Sequence, residues 1–165
     1  MSLFADAYQK IDYSGRTVDL LLLKTVLGVP VANKRVDLDI SEDPMIVSGV
    51  EKMVQRYAII FINAMGSAKF RQRYGTNIVP NVGRGMVYNM STLEAAAAEA
   101  NLLASNQIKA ADADEDTPDD ERMVSSEIID LKFYRETAGV MISVRLTTAA
   151  GKSYVYIIPV SAGVH

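Results

Sequence analysis

Three runs of strict alternation close the chain, and they limit it more than anything else in the sequence. Ile129, Leu131 and Phe133 alternate with Asp130, Lys132 and Tyr134. Val140, Ile142, Val144 and Leu146 alternate with Met141, Ser143, Arg145 and Thr147, and Tyr154, Tyr156 and Ile158 make a third series. A period of two puts one set of side chains on a buried face and the other toward solvent, which is the pattern of half-buried strands. The connectors Thr137-Ala138-Gly139 and Ala149-Ala150-Gly151-Lys152 are short enough for hairpins, so the end of the chain is expected to be an antiparallel meander with one face on helices. Tyr154 to Ile158 comes last and is followed by Pro159 and Gly163, which makes it the expected edge strand, with Tyr154, Val155 and Tyr156 offering unpaired backbone groups.

Two helices are expected upstream. For the first, Asp43 is an N-cap, Pro44 fits the first helical position and Glu51 follows in the early turns. Val47, Val50, Val54, Tyr57 and Phe61, joined by Met53, Ala58 and Ala64, recur at spacings of three and four, and Gly66 supplies a left-handed stop. The second helix starts at a capping box, Ser91-Thr92-Leu93-Glu94, and runs through Ala95 to Ala98, Leu102, Leu103 and Ile108. Helices followed by a meander give an α+β fold: two main helices packed on a small antiparallel sheet, in a single domain of residues 36–165 with an N-terminal extension of residues 1–35. Within that extension, the apolar run Leu20 to Leu23 reads equally as a buried strand or a helix turn. Val36, Leu38 and Ile40 alternate with Asp37 and Asp39 as a short strand.

Composition narrows the chemistry. A chain of 165 residues that is 49% hydrophobic buries a core of ordinary size. No apolar run is long enough to span a bilayer, and the first residues show no export signal. With no cysteine and with His165 as the single histidine, thiolate chemistry, Cys-ligated zinc and histidine-based triads are excluded. Asp112, Asp114, Glu115, Asp116, Asp119, Asp120 and Glu121 crowd around Thr117-Pro118 and read as a solvated connector; they lack the ligand spacing and central glycine of a calcium loop. Neither a metal nor a cofactor is expected.

Between the helices, residues 67–89 form a glycine-punctuated loop of a length that suggests a working surface. Lys69, Arg71, Arg73 and Arg84 surround Phe70 and Tyr74; the plain reading is a solvated loop with an aromatic tucked into the core. A net charge of −3 and the brevity of the patch argue against nucleic acid as a partner.

The order of these segments carries a resemblance. An Asp-containing lead-in, a helix of the type Val47-Ser48-Gly49-x-Glu51-x-x-x-Gln55, a turn centred on Gly66, an Arg/Phe-rich segment into Arg73-Tyr74-Gly75-Thr76, a second helix, an acidic-arginine pair and then strands follow one another from Val36 to Val160. The chain resembles the baseplate wedge family of contractile phage tails, the sheath initiators often labelled lysozyme-like. Where that family often has Glu-Pro-Arg, this chain has Asp120-Glu121-Arg122.

The resemblance implies a structural component of the virion, made in the host cytoplasm and placed in the tail baseplate in several copies around the tube. Its implied partners are other wedge proteins, tail tube and sheath subunits, with no membrane involved, and its sheet would template the first sheath ring by strand addition. It also makes Arg73, Tyr74, Gly75, Glu121 and Arg122 the interaction candidates. A tail-terminator or neck protein is the alternative with similar composition. The label raises a third, a peptidoglycan hydrolase, for which Glu121 with Glu127 or Asp130 would have to serve as the paired carboxylates. No catalytic role is expected of them: Glu121 adjoins Arg122 amid a crowd of acids, and the chain has no tryptophan to stack on a sugar.

Overall fold

Beta-branched and aromatic residues at alternate positions build the sheet around which the chain is organised. The computed structural model describes residues 19–20, 23–26, 34–38, 46–114, 116–134, 136 and 139–161. In chain order the elements are strands β1 (Asp19–Leu20), β2 (Leu23–Val26), β3 (Lys34–Leu38) and β4 (Ile46–Val47), and helices α1 (Val50–Ile62), α2 (Ile78–Gly83) and α3 (Met90–Asp114). Strands β5 (Met123–Tyr134), β6 (Gly139–Thr148) and β7 (Ser153–Ser161) follow. The arrangement is α+β, with helices packed on a C-terminal antiparallel meander of β5, β6 and β7.

Strand β6 lies inside the meander. Val140, Ile142, Val144, Leu146 and Thr148 are all buried on its helix-facing side, as the alternation requires. Tyr156, Ile158 and Val160 continue that layer on β7. On β5 the register shifts between Ile128 and Asp130, where a bulge turns the strand. The alternation expected to bury Ile129 therefore breaks: Ile128, Leu131 and Phe133 pack against the core while Ile129 is exposed.

The edge expected at Tyr154 to Ile158 is covered at Tyr156 and Ile157 by another strand. The sheet order is β2-β3-β7-β6-β5, and β3 runs parallel to β7 with Lys34 opposite Tyr156 and Arg35 opposite Ile157. Parallel pairing between strands so far apart in sequence leaves no local signature, whereas the hairpin partner of β7 was legible. A domain boundary at 35/36 would fall inside β3.

Helix α1 begins later than expected. Ile46 and Val47 are extended and pair with Leu20 and Asp19, Gly49 is the N-cap, and the helix runs from Val50; Asp43 and Pro44 lie outside the described residues. It also ends before Gly66, at Ile62, because the next residues leave the helix to bond with Thr76: the Thr76 amide donates to the Asn63 carbonyl at 2.8 Å, and the Met65 amide donates to the Thr76 carbonyl at 2.9 Å. For α3 the capping box lies two residues upstream of the expected one. Asn89 Oδ1 accepts from the Thr92 amide at 2.8 Å, and Thr92 Oγ1 accepts from the Asn89 amide at 3.1 Å.

Leu93, Ala97, Ala100, Ala104 and Ile108 form the buried stripe of α3. Alanine at three of these positions brings the helix axis close to its neighbours, β5 and α1. From α1, Met53, Tyr57 and Phe61 fill the centre of the core. A polar network threads the same contact: the Tyr57 hydroxyl donates to Asn101 Oδ1 at 2.6 Å, Asn101 Nδ2 donates to the Ser126 carbonyl at 3.4 Å, and the Ser105 and Ser126 hydroxyls are hydrogen-bonded to each other.

Candidate interaction site

One face of α1 organises the polar chemistry of the molecule. Lys52 and Arg56 are one turn apart and so project in the same direction. Lys52 Nζ lies 3.3 Å from Glu121 Oε2, and Arg56 Nη1 lies 2.9 Å from Asp112 Oδ1. The expected solvated connector is therefore anchored at both ends. Asp112 is buried in the last turns of α3, and Glu121 is only 1% exposed. Burial of these carboxylates is tolerated because each is both paired and hydrogen-bonded. Glu121 Oε1 accepts the Gly49 amide at 2.8 Å, and Asp112 Oδ2 accepts the Met123 amide at 3.2 Å.

The turn that presents Glu121 is itself fixed. Both the Glu121 and Arg122 amides donate to the Pro118 carbonyl, at 2.9 and 2.8 Å. The turn also docks on the β6–β7 hairpin, where the Ala149 amide donates to the Arg122 carbonyl and the Ala150 amide to the Asp119 carbonyl. Arg122 points the other way, is exposed, and pairs with Asp119. Glu121 and Arg122 thus separate, one into the core and one to solvent. Glu127 and Asp130 sit exposed on β5, engaged by Arg145 and Lys132.

Residues 64–76 form a loop whose neck is closed by the backbone bonds between Asn63 or Met65 and Thr76. Thr76 is buried and its hydroxyl donates to the Phe61 carbonyl at 2.5 Å. Gly75 has φ of 102°, and a Cβ there would stand 2.4 Å from the Asn63 carbonyl oxygen, so the position admits no side chain without movement of the neck. Gln107 of α3 reads both backbone groups of Gly75: its Oε1 accepts the amide and its Nε2 donates to the carbonyl, each at 2.9 Å.

The clamped loop and the two helices line an open cleft of about 470 Å³ formed by Arg56, Ile60, Arg71, Arg73, Tyr74 and Gln107, with Ala110 and Ala111 on the helix wall. The Arg71 guanidinium lies 5.9 Å from the Tyr74 ring centroid, a cation–π contact. Of the two loop aromatics, Tyr74 is the one that packs against the core, while Phe70 is 92% exposed beside Lys69.

The structure thus brings Arg73, Tyr74 and Gly75 together, sets the Glu121 side chain against the N-terminus of α1, and separates Arg122 and the strand residues Tyr154, Val155 and Tyr156 from both. Sequence reasoning missed Arg56, Gln107 and Asp112. The four-residue spacing of Lys52 and Arg56 was a readable signal; Gln107, one amide in an alanine-rich helix, gave none.

No family model matches the chain, and no curated protein or solved structure is significantly similar to it. Among the described residues no group of three or more carboxylate or histidine side chains is arranged to hold a metal ion, and no helix is long and apolar enough to cross a membrane.

Proposed function

We propose that this protein is a structural component of a phage tail baseplate, an inner wedge protein whose sheet templates the first sheath ring by strand addition. The supporting observation is the outer side of β5. This twelve-residue strand ends the sheet, and among the described residues no strand pairs with it there. At Ser126 its carbonyl is taken by Asn101. From Glu127 to Tyr134 the strand carries exposed Ile129 and Tyr134 beside charged Asp130 and Lys132. A long edge of this kind accepts an incoming strand through backbone hydrogen bonds with little demand on side-chain identity. The bulge and the charges discourage indiscriminate pairing between copies. Glu121, occupied by Gly49 and Lys52, supports the non-catalytic part of the reading, since a general acid must reach its substrate.

A proline scan from Glu127 to Tyr134 tests it. Proline lacks the donor an incoming strand uses, so at outward-bonding positions it should leave thermal unfolding nearly unchanged and abolish sheath growth seen by electron microscopy. Full-length sheaths from every fold-competent variant would reject strand addition at β5. A label on the chain found at the neck rather than the baseplate would reject the baseplate assignment, and peptidoglycan turnover lost in Glu121→Gln would reject the structural role.

A further inference from the structure

We infer that the cavity between α1, α3 and the Arg71–Tyr74 segment is a docking site for an acidic segment of a partner protein. Three arginines line the cavity, Arg56, Arg71 and Arg73. Arg56 is held by Asp112, while among the described residues neither Arg71 nor Arg73 has an ion-pair partner. The unspent positive charge therefore corresponds to about two carboxylates, the anion whose geometry a guanidinium fork matches. The site is built in advance: Gln107 fixes the loop backbone at Gly75, and the Tyr74 ring supports the face of the Arg71 guanidinium. The loop backbone is therefore already ordered, which lowers the cost of binding.

Two features favour a protein over a nucleic-acid strand. Apolar groups share the site, with Ile60, Ala110 and Ala111 in the wall, and Phe70, outside the lining but adjacent to Arg71 in the chain, projects almost wholly into solvent. An exposed aromatic beside arginines is the composition of a protein-binding hot spot. The ligand is thus a segment with two nearby carboxylates and an apolar side chain. This inference is independent of strand addition at β5.

The full-length chain is titrated into a fluorescein-labelled decapeptide carrying two glutamates and a leucine, followed by anisotropy, with the same peptide carrying glutamines as control. The glutamate peptide should bind at least about ten-fold more tightly, and added salt should weaken it. Arg71→Gln with Arg73→Gln should remove that preference without shifting the Tm, while Arg84→Gln, outside the cavity, should not affect it. Phe70→Ala should weaken the glutamate peptide while leaving inorganic phosphate a poor competitor. No binding, equal binding of the two peptides, or binding indifferent to the arginine pair would overturn the inference. Equal competition by phosphate would reduce the site to a simple anion pocket and overturn it as well. A single-stranded oligonucleotide binding more tightly than the peptide would replace it with nucleic-acid recognition. A proline in β5 that blocks sheath growth should leave peptide binding intact, so the two proposals fail separately.

Discussion

Glu121 accepts a hydrogen bond from the backbone amide of Gly49, 72 residues earlier in the chain, at 2.8 Å. That contact places a carboxylate at the start of α1, where the free amides and the helix dipole favour negative charge, and Lys52 in the first turn pairs with its other oxygen. The helix has no capping side chain of its own at Gly49, so its N-terminus is completed by tertiary structure.

Glu121→Ala should therefore cost about 3–5 kcal/mol in denaturant unfolding, because it removes a buried carboxylate that both pairs with Lys52 and accepts the Gly49 amide. Its neighbour behaves differently. Arg122 is half exposed and, among the described residues, pairs only with exposed Asp119 on the same turn, so Arg122→Ala should cost less than about 0.5 kcal/mol. Equal losses for the two variants would contradict the separation of their side chains.

Gly75→Ala should be destabilising. The left-handed backbone alone opposes a side chain by about 1–3 kcal/mol, and the contact with the Asn63 carbonyl adds to it. Since the strain falls on the loop neck, hydrogen exchange should rise at Thr76 and Met65 before it rises in the sheet.

Arg56 and Asp112 should show coupling in a double-mutant cycle. Single replacements by Ala break an ion pair in which the aspartate is buried, and the cycle should return a coupling of about 1–3 kcal/mol. A value near zero would mean that the Met123 amide alone accounts for the burial of Asp112.

Alkaline unfolding should be driven by two tyrosines. Burial holds the Tyr57 phenol far above its ordinary value of 10.0, with a hydrogen bond to Ser126 opposing the shift. Burial also raises Tyr156, and negative charge from Glu51 and Tyr154 adds to it. A raised folded pKa means that the native state keeps its proton after the unfolded state has lost it. Stability is thus unaffected by these groups below the unfolded value and falls as pH rises above 10, by about 1.4 kcal/mol per pH unit for each tyrosine. Tyrosinate absorbance of these two groups should appear together with loss of ellipticity. Tyr57→Phe should make the decline shallower; an unchanged slope would refute the assignment.

Local pattern determined a good part of this protein. Alternation in Val140 to Leu146 and Tyr154 to Ile158 specified two strands and their buried faces, since a period of two leaves only one way to bury the apolar set. The three- and four-residue spacing from Val54 to Phe61 specified a helix and its core side, although not where it starts. Tertiary structure decided what depends on partners distant in sequence. The parallel addition of β3 removed β7 from the edge and left that role to β5. Asp112 and Glu121 look like any other members of an acidic run until α1 brings Arg56 and Lys52 to them. The cavity, too, depends on tertiary contacts, since Gln107 of one helix holds the loop at Gly75 and so sets the loop beside two helices. Periodicity records which side of an element is buried; it carries no record of which distant charge or amide will be waiting there.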